Sequence, residues 1–183
     1  MNEQQAQLLE KEANNLPIEI GFKRLSENAV LPTKANPSDS GLDLYAAEDV
    51  VIAPGETVVV KTNLAVQLPP GYEAQVRPRS GITSKTKLRV QIGTIDTPYR
   101  GDIGIIVDNI AECGGPTLFL KTVNGRSTKE LAPLYFDKGT YLIHKGDKIA
   151  QLVVQPIPQT VAVEIAELGE SDRGANGFGS SGV

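Results

Sequence analysis

Short runs of alternating apolar and polar residues follow one another along most of this chain, and turn residues separate them. The pattern starts after Pro17 and predicts short β-strands rather than long helices. The predicted strands have the sequences IEIGFKRL, DLYAA, DVVIAP, ETVVVKT, LAVQLP, YEAQVRP, KLRVQIGTI, GDIGIIVDN, TLFLKTV, TYLIHK, KIAQLVVQPI and VAVEIAEL. Their spacing predicts an all-β domain, a distorted antiparallel jelly roll or β-barrel.

The same pattern divides the chain into a β domain and two extensions. Residues 1–16 form an N-terminal extension whose helix-forming residues predict a short helix or a frayed end. Residues 17–170 form the β domain. Residues 171–183 include the glycine-rich sequence RGANGFGSSGV, which has too few apolar residues for a core, and we predict a flexible C-terminal lid.

Residues 110–138 are predicted to be an insertion within the β domain. IGIIVDN and YLIHKGDKIAQLVV could pair directly, yet the connection between them is far longer than an ordinary hairpin loop. Inside it, Asn124-Gly125 favours a two-residue hairpin turn. We therefore predict an inserted hairpin that is exposed on one side. It either has a function or is simply tolerated.

Composition and charge narrow the classes of function. The net charge is −4, so the chain lacks the excess of basic residues that proteins use to grip duplex nucleic acid. An anionic substrate would have to be held by a few aimed donors or a metal ion. The single Cys113 excludes an internal disulfide, and with the single His144 it argues against a Cys/His zinc site. Without a signal-peptide pattern or a run of 18 apolar residues, we expect a soluble, cytoplasmic protein with no membrane partner.

The segment GTIDTPYRGD places Asp96 at the end of an apolar strand. A rigid strand end can hold a carboxylate beside a substrate, where it accepts a proton from an attacking water. The alternative is that Asp96 only supports the turn.

The segment RPRSGITSKT offers guanidinium groups suited to phosphate, and Ser80 could cap a short helical turn that faces an anion. A plain polar loop is the alternative. A serine nucleophile is improbable, because the chain has no G-x-S-x-G sequence.

Three further segments carry candidate ligands for an anion or a base. In SDSGLDLYAA, Asp39 and Asp43 could help hold Mg²⁺ through water, or merely form a turn. In KIAQLVV, Gln151 is either a placed amide or an outward-facing side chain. In the tail, Arg173 supplies a charge and Phe178 a stacking surface, unless the segment is only a loose terminus.

Five of these segments, taken together, resemble the homotrimeric all-β dUTPase family. They are SGLDLYAA, PRSG, GTIDTPYRG, GDKIAQLV and RGANGFGSSG, and they run in the family's order from about residue 38 to the C terminus. The resemblance implies Mg²⁺-dependent hydrolysis of dUTP to dUMP and pyrophosphate by attack of water on the α-phosphorus. This would lower dUTP and supply dUMP for dTMP synthesis. The insertion at 110–138 is similar to those of virus-encoded members.

The resemblance also implies roles for single residues. Asp96 would activate the water, Tyr99 would pack on the deoxyribose, and Asp43 would act on Mg²⁺ through water. The remaining substrate contacts would come from the backbone of Gly93 and Ile95 at uracil, from Phe178 stacked on it, and from Arg79, Ser80, Gly81, Gln151, Arg173, Gly179 and Ser180 at the phosphates. In the family, each site combines residues of three subunits.

Two other functions remain open at this point. One is a dCTP deaminase of the same fold, although the Asp96-Thr97-Pro98-Tyr99 hairpin and the complete tail favour hydrolysis of dUTP. The other is a nucleotide-gated regulatory module that binds a protein partner through residues 110–138.

Overall fold

The computed structural model describes residues 17–129, 135–172 and 174–175. Within these ranges the fold is all-β with one short helix, which confirms the predicted class. The elements are β1 (Gly21–Arg24), β2 (Leu42–Tyr45), β3 (Val50–Ile52), β4 (Thr57–Lys61), β5 (Leu64–Gln67), β6 (Tyr72–Pro78), α1 (Ser80–Lys85), β7 (Leu88–Val90), β8 (Gly93–Ile95), β9 (Gly104–Asn109), β10 (Gly114–Thr117), β11 (Leu120–Thr122), β12 (Ser127–Thr128), β13 (Phe136–Lys138), β14 (Tyr141–Ile143) and β15 (Lys148–Pro156). Among the described residues, no helix has the length and apolar character needed to cross a membrane.

The strands form several small, mainly antiparallel sheets. One four-stranded sheet has the order β2-β15-β6-β8, a second has the order β12-β11-β14-β3, and a three-stranded sheet has the order β4-β9-β7. β1 pairs with β5, and β10 pairs with β13. β11 runs parallel to β14.

Aliphatic side chains from these sheets form the core. In β9, Ile105 and Val107 are buried while Gly104 and Ile106 are exposed, so the period-2 pattern of the sequence is a true inside–outside alternation. Burying one such side chain contributes about 1.5–3 kcal/mol. The largest fully buried side chains are Leu44, Ile52, Leu64, Leu88, Ile103, Ile105, Leu120, Ile143, Ile149, Leu152, Val60 and Val66.

Two predictions about strands that precede the insertion are wrong. KLRVQIGTI is not one strand: β7 pairs with β9, whereas β8 pairs with β6 in another sheet, and Gln91-Ile92 separates them. IGIIVDN does not pair with the strands that follow the insertion. It forms β9 between β4 and β7, so both edges of this strand are already paired with segments that precede the insertion.

The insertion carries the predicted hairpin. β11 and β12 pair across the Asn124-Gly125 turn. The turn is not a two-residue one, since the Gly125 N–H donates to the Thr122 carbonyl (2.8 Å) and Gly125 has a φ of +80°. This is a three-residue loop that ends in a left-handed glycine. Leu120 is buried while Phe119 is 54% exposed, so the insertion has one exposed side, as predicted.

The segment VAVEIAEL does not form a strand in the single chain. Its apolar side chains are exposed, with Val161 at 86% and Val163 at 74%, and no described strand pairs with it. An alternating pattern forms a strand only where a partner edge is available. The predicted helix in residues 1–16 and the last residues of the predicted lid lie outside the described residues, and the domain boundaries stay predictions.

Asn109 at the end of β9 ties three segments together from a buried position, where it is 1% exposed. Its Nδ2 donates to the carbonyls of Ile52 (3.0 Å) and Gly139 (2.9 Å), and its Oδ1 accepts the Ala111 N–H (3.0 Å).

We predict that Asn109→Ala lowers the free energy of unfolding by at least about 2 kcal/mol, because each buried group left unpaired costs about 1–3 kcal/mol. Chemical denaturation at equal protein concentration measures the loss. The control is Asn28→Ala at an exposed position, with an expected change within about 0.5 kcal/mol. Equal losses in the two variants would contradict the tethering role of Asn109.

Candidate active site

A carboxylate held between two cations lies where β2, β15 and the start of α1 meet. Asp43 is in β2, Lys148 begins β15, and Arg79 directly precedes α1. Arg79 Nε lies 2.9 Å from Asp43 Oδ1, and Lys148 Nζ lies 2.8 Å from Oδ2. Arg79 Nη1 also donates to the Lys148 carbonyl (3.1 Å). The three side chains therefore fix one another.

Burial makes this arrangement necessary. Asp43 is 8% exposed, and an ionised carboxylate at that depth is costly unless it is paired. Lys148 forms an ion pair with Asp43 Oδ2, and no other donor among the described residues reaches this oxygen. The contact with Asp43 raises the pKa of Lys148 above its ordinary value, despite opposing effects of burial and Arg79. Lys148 is therefore charged at neutral pH.

A pocket of about 390 Å³ opens beside this cluster, and we name it the phosphate pocket after the ligand that the sequence predicts for its residues. It is lined by Ala35, Asp39, Ser40, Gly41, Asp43, Arg79, Ser80, Gly81 and Gln151. The first N–H groups of a helix have no intrahelical acceptors, so the start of α1 adds donors to the guanidinium group. Such a set of donors suits an anion.

The predicted cap of α1 is wrong by one residue. Arg79 occupies the N-cap position with extended backbone angles and makes no side-chain cap, and Ser80 is the first helical residue. Arg79 still has the extended backbone angles of β6 and the chain turns helical at Ser80, so the helix begins one residue earlier than a Ser80 cap requires.

Gln151 is a placed amide. It is half-buried in β15 opposite Asp43, and its Nε2 donates to the Pro78 carbonyl (3.0 Å). Gly41 makes this position possible, because a Cβ at residue 41 would overlap the Gln151 side chain. The prediction of an inward amide is therefore the correct alternative.

A second pocket of about 230 Å³ lies at the other edge of the same sheet, and we name it the nucleoside pocket after the ligand that the sequence predicts there. It is lined by Val76, Gly93, Thr94, Ile95, Asp96, Tyr99, Asp102, Ile103, Gly104 and Ile106. Asp96 is an exposed residue directly after β8. β8 ends the sheet order, so one side of its backbone has no strand partner among the described residues. Free N–H and C=O groups of an edge strand can pair with a flat polar ligand.

Hydrogen bonds fix the turn that carries Asp96 and Tyr99. The Tyr99 N–H donates to the Asp96 carbonyl (3.0 Å), and the Tyr99 hydroxyl donates to the Asp102 carbonyl (2.9 Å). Thr97 Oγ1 donates to the Tyr72 carbonyl (2.6 Å) and anchors the turn to β6. The Tyr99 ring lies against Gly101, where a Cβ would overlap it. Thr97 and Gly101 therefore position the turn, although the sequence analysis gave them no role.

The predicted site residues fall into two groups that lie apart on one chain. The two pockets share no lining residue. They lie toward opposite edges of the sheet β2-β15-β6-β8, and three strand spacings of about 4.8 Å place these edges roughly 14 Å apart. Arg173, Phe178, Gly179 and Ser180 lie outside the described residues.

Lys148 is the main site residue that the sequence analysis missed. It is a charged residue after a turn, which is usually a solvated position. The available signal was its position three residues before Gln151, at the start of a strand that pairs with the strand of Asp43.

The chain is similar in sequence to known dUTP-hydrolysing enzymes. A dUTPase family model matches residues 27–114 and 135–182, and the unmatched residues between them fall inside the insertion. A deoxyuridine 5′-triphosphate nucleotidohydrolase of Clostridium kluyveri is 37% identical over 168 residues, which is 91% of this chain and 99% of the relative. A deoxyuridine 5′-triphosphate nucleotidohydrolase of Hydrogenobaculum is 40% identical over 164 residues, which is 88% of this chain and 96% of the relative.

The fold is also similar to solved structures of phage dUTPases. A mutant dUTPase of Staphylococcus bacteriophage 80alpha with dUpNHpp is 39% identical, has a TM-score of 0.87, and is matched over 90% of this chain and 99% of that chain. A mutant dUTPase from phage phi11 of S. aureus, described with a structural Mg(II) ion, is 38% identical. Its TM-score is 0.77, and the match covers 81% of this chain and 97% of that chain.

Proposed function

The chain belongs to the dUTPase family, and on that premise we propose how its two pockets hydrolyse dUTP to dUMP and pyrophosphate. The observation that carries the mechanism is the position of Asp96. It is an exposed carboxylate at the end of β8, on a turn fixed by hydrogen bonds, in the nucleoside pocket. Asp96 accepts the proton of a water that attacks the α-phosphorus, and pyrophosphate leaves with the electron pair of the broken P–O bond.

The nucleoside pocket supplies the specificity. The free backbone edge of β8 at Gly93 and Ile95 pairs with the uracil edge, so a cytosine would leave buried groups unpaired. The Tyr99 ring packs on the deoxyribose and leaves no room for a 2′-hydroxyl. Its hydroxyl bond to Asp102 holds the ring in place.

The phosphate pocket binds the triphosphate. Arg79, the start of α1 at Ser80 and Gly81, and the Gln151 amide provide the donors. Catalysis of phosphoryl transfer depends mainly on positioning the reacting groups and on neutralising the negative charge of the phosphates. In the complete site, Arg173 and the glycines of the tail clamp the outer phosphates, and Phe178 stacks on uracil.

Mg²⁺ fits this site as part of the substrate rather than as an ion held by the protein alone. Both oxygens of Asp43 are already engaged by Arg79 and Lys148. The described residues include no group of three or more His, Cys, Asp or Glu side chains that could hold a metal. Asp43 and Asp39 would therefore act on the ion only through its water molecules. Bound to the phosphates, Mg²⁺ supplies charge neutralisation.

A homotrimer supplies the complete site in this proposal. The phosphate pocket of one subunit faces the nucleoside pocket of a neighbour, and a third subunit donates its tail. The exposed, unpaired segment VAVEIAEL supports such exchange, because a neighbouring subunit would cover its apolar side chains. We propose that the protein acts in the cytoplasm.

A second role, binding of a protein partner through residues 110–138, is favoured by the surface of the insertion. Phe119 is 54% and Tyr135 is 72% exposed. Phe119 lines one pocket together with Lys121 and Lys138. With Lys87, these two lysines also line a second pocket, in which Glu112 is the single carboxylate. Aromatic groups beside excess positive charge suit an acidic protein surface. We propose this role in addition to catalysis.

The catalytic proposal predicts that the wild-type protein with Mg²⁺ releases pyrophosphate from dUTP and not from UTP, dCTP or dTTP. Asp96→Asn should retain dUTP binding and lose about 10²–10⁴-fold in kcat, the usual contribution of a general base. The control is Asp108→Asn, whose carboxylate lies outside both pockets and bonds Thr57. Near-normal turnover by Asp96→Asn would remove Asp96 from the mechanism.

The shared site predicts complementation between two inactive variants. Asp96→Asn damages only the nucleoside pocket, and Arg79→Ala damages only the phosphate pocket. After unfolding together and refolding at equal amounts, about a quarter of the sites in random trimers contain two intact pockets. Turnover near that fraction of wild type is expected. If the mixture stays as inactive as its components, both pockets of a site come from the same chain.

The docking role predicts a separation of functions. The double variant Phe119→Ser and Tyr135→Ser should keep wild-type dUTP hydrolysis and thermal stability, because both side chains are exposed. It should no longer bind the proteins that the wild type captures from a lysate of the cells in which it is naturally made. Leu25→Ser, at an exposed apolar position outside both the insertion and the segment VAVEIAEL, controls for nonspecific binding to apolar surface. Identical captured proteins with and without the two aromatic residues would exclude docking at this surface.

A further inference from the structure

The bulge at the start of β15 brings two polar side chains to one face of the sheet. Lys148 and Gln151 are three residues apart, and in a regular strand they would point to opposite faces. The register shifts between Lys148 and Ala150, so Lys148 pairs with Tyr45 and Gln151 pairs with Asp43. Tyr45 and Asp43 are two residues apart and share a face, which Lys148 and Gln151 therefore also share.

Lys148 is held in place on that face from two directions. Its Nζ lies 2.8 Å from Asp43 Oδ2 and 5.7 Å from the centre of the Tyr45 ring. The Tyr45 hydroxyl is itself hydrogen bonded to Thr33 Oγ1 (2.6 Å), which fixes the ring. The ammonium group is thus a built part of the site rather than a freely moving surface charge.

The charge of the cluster depends on Lys148. Asp43 orients Arg79 through Nε, but in doing so its carboxylate cancels the guanidinium charge. With Arg79 and Asp43 alone, the cluster beside the phosphate pocket would be neutral. With Lys148 the three side chains carry one net positive charge.

We propose that Lys148 is a positioning residue for triphosphate binding: it neutralises Asp43, which can then orient Arg79 without cancelling its charge toward the phosphates. This inference rests on the proposed function of the phosphate pocket. It assigns Lys148 to ground-state binding rather than to the chemical step, because Lys148 contacts Asp43 and the Tyr45 ring, whereas the proton transfer is assigned to Asp96.

The test compares Lys148→Met with Lys148→Arg, using full-length protein. Lys148→Met keeps much of the side-chain volume but removes the charge, and we expect KM for dUTP to rise about tenfold at low salt with kcat within about twofold. Lys148→Arg restores the charge and should restore KM. The difference between Lys148→Met and wild type should shrink as salt is added, because screening weakens charge interactions. Lys145→Met is the matched control from the same turn, since Lys145 Nζ contacts Asn28 rather than Asp43.

A binding measurement separates this inference from the proposed function. Calorimetric titration with Mg²⁺ and inorganic tripolyphosphate reports on the phosphate pocket without any turnover. About tenfold weaker binding by folded Lys148→Met, with recovery in Lys148→Arg, supports the inference even if dUTP is not hydrolysed. Unchanged tripolyphosphate binding by folded Lys148→Met overturns it, whatever the rate of dUTP hydrolysis. A loss that Lys148→Arg does not restore also overturns it, because charge is then not the cause.

Discussion

The pairing of β15 with β2 on one side and β6 on the other is the constraint on which the site depends. Ala150 and Leu152 enter the core from this strand, and Gln151 between them faces the phosphate pocket. A shift of one residue in register would bury the Gln151 amide and expose Leu152. The apolar side chains therefore fix the register, and the register places the polar ones. The bulge at Lys148 is the one local departure, and it adds an ammonium group to the same face.

The sequence predicted features set by local chemistry better than features set by pairing. The all-β class followed from alternation, and the Asn124-Gly125 hairpin from a turn preference. KLRVQIGTI was wrongly predicted as one strand because alternation does not indicate which sheet each half joins. VAVEIAEL has the pattern of a strand, yet in the single chain it lacks a partner edge. Strand partners are long-range properties, and a single sequence carries little information about them.

The candidate site divides in the same way. The motifs correctly grouped Arg79, Ser80 and Gln151, since a short helix and one strand bring them together. They did not indicate that Asp96 and Tyr99 line a different pocket at the far edge of the sheet. Lys148 was not predicted as a site residue because regular alternation places its side chain on the other face of the sheet from Gln151. Only the bulge brings the two side chains to the same face. A deviation of one residue in backbone register is not visible in side-chain periodicity.

Local charge explains how an acidic protein can bind a substrate with several negative charges. The net charge of −4 sets a repulsive background, which salt screens beyond about 10 Å. In the proposed site, the substrate meets the Arg79–Asp43–Lys148 cluster and the first N–H groups of α1 within that distance. A single unpaired arginine would supply the same net charge, but its long side chain would be free to move. The buried Asp43 carboxylate gives the guanidinium a fixed direction, and the lysine restores the charge that this contact cancels. Orientation and charge are therefore supplied by different residues, which is why neither Asp43 nor Lys148 needs to touch the substrate to affect its binding.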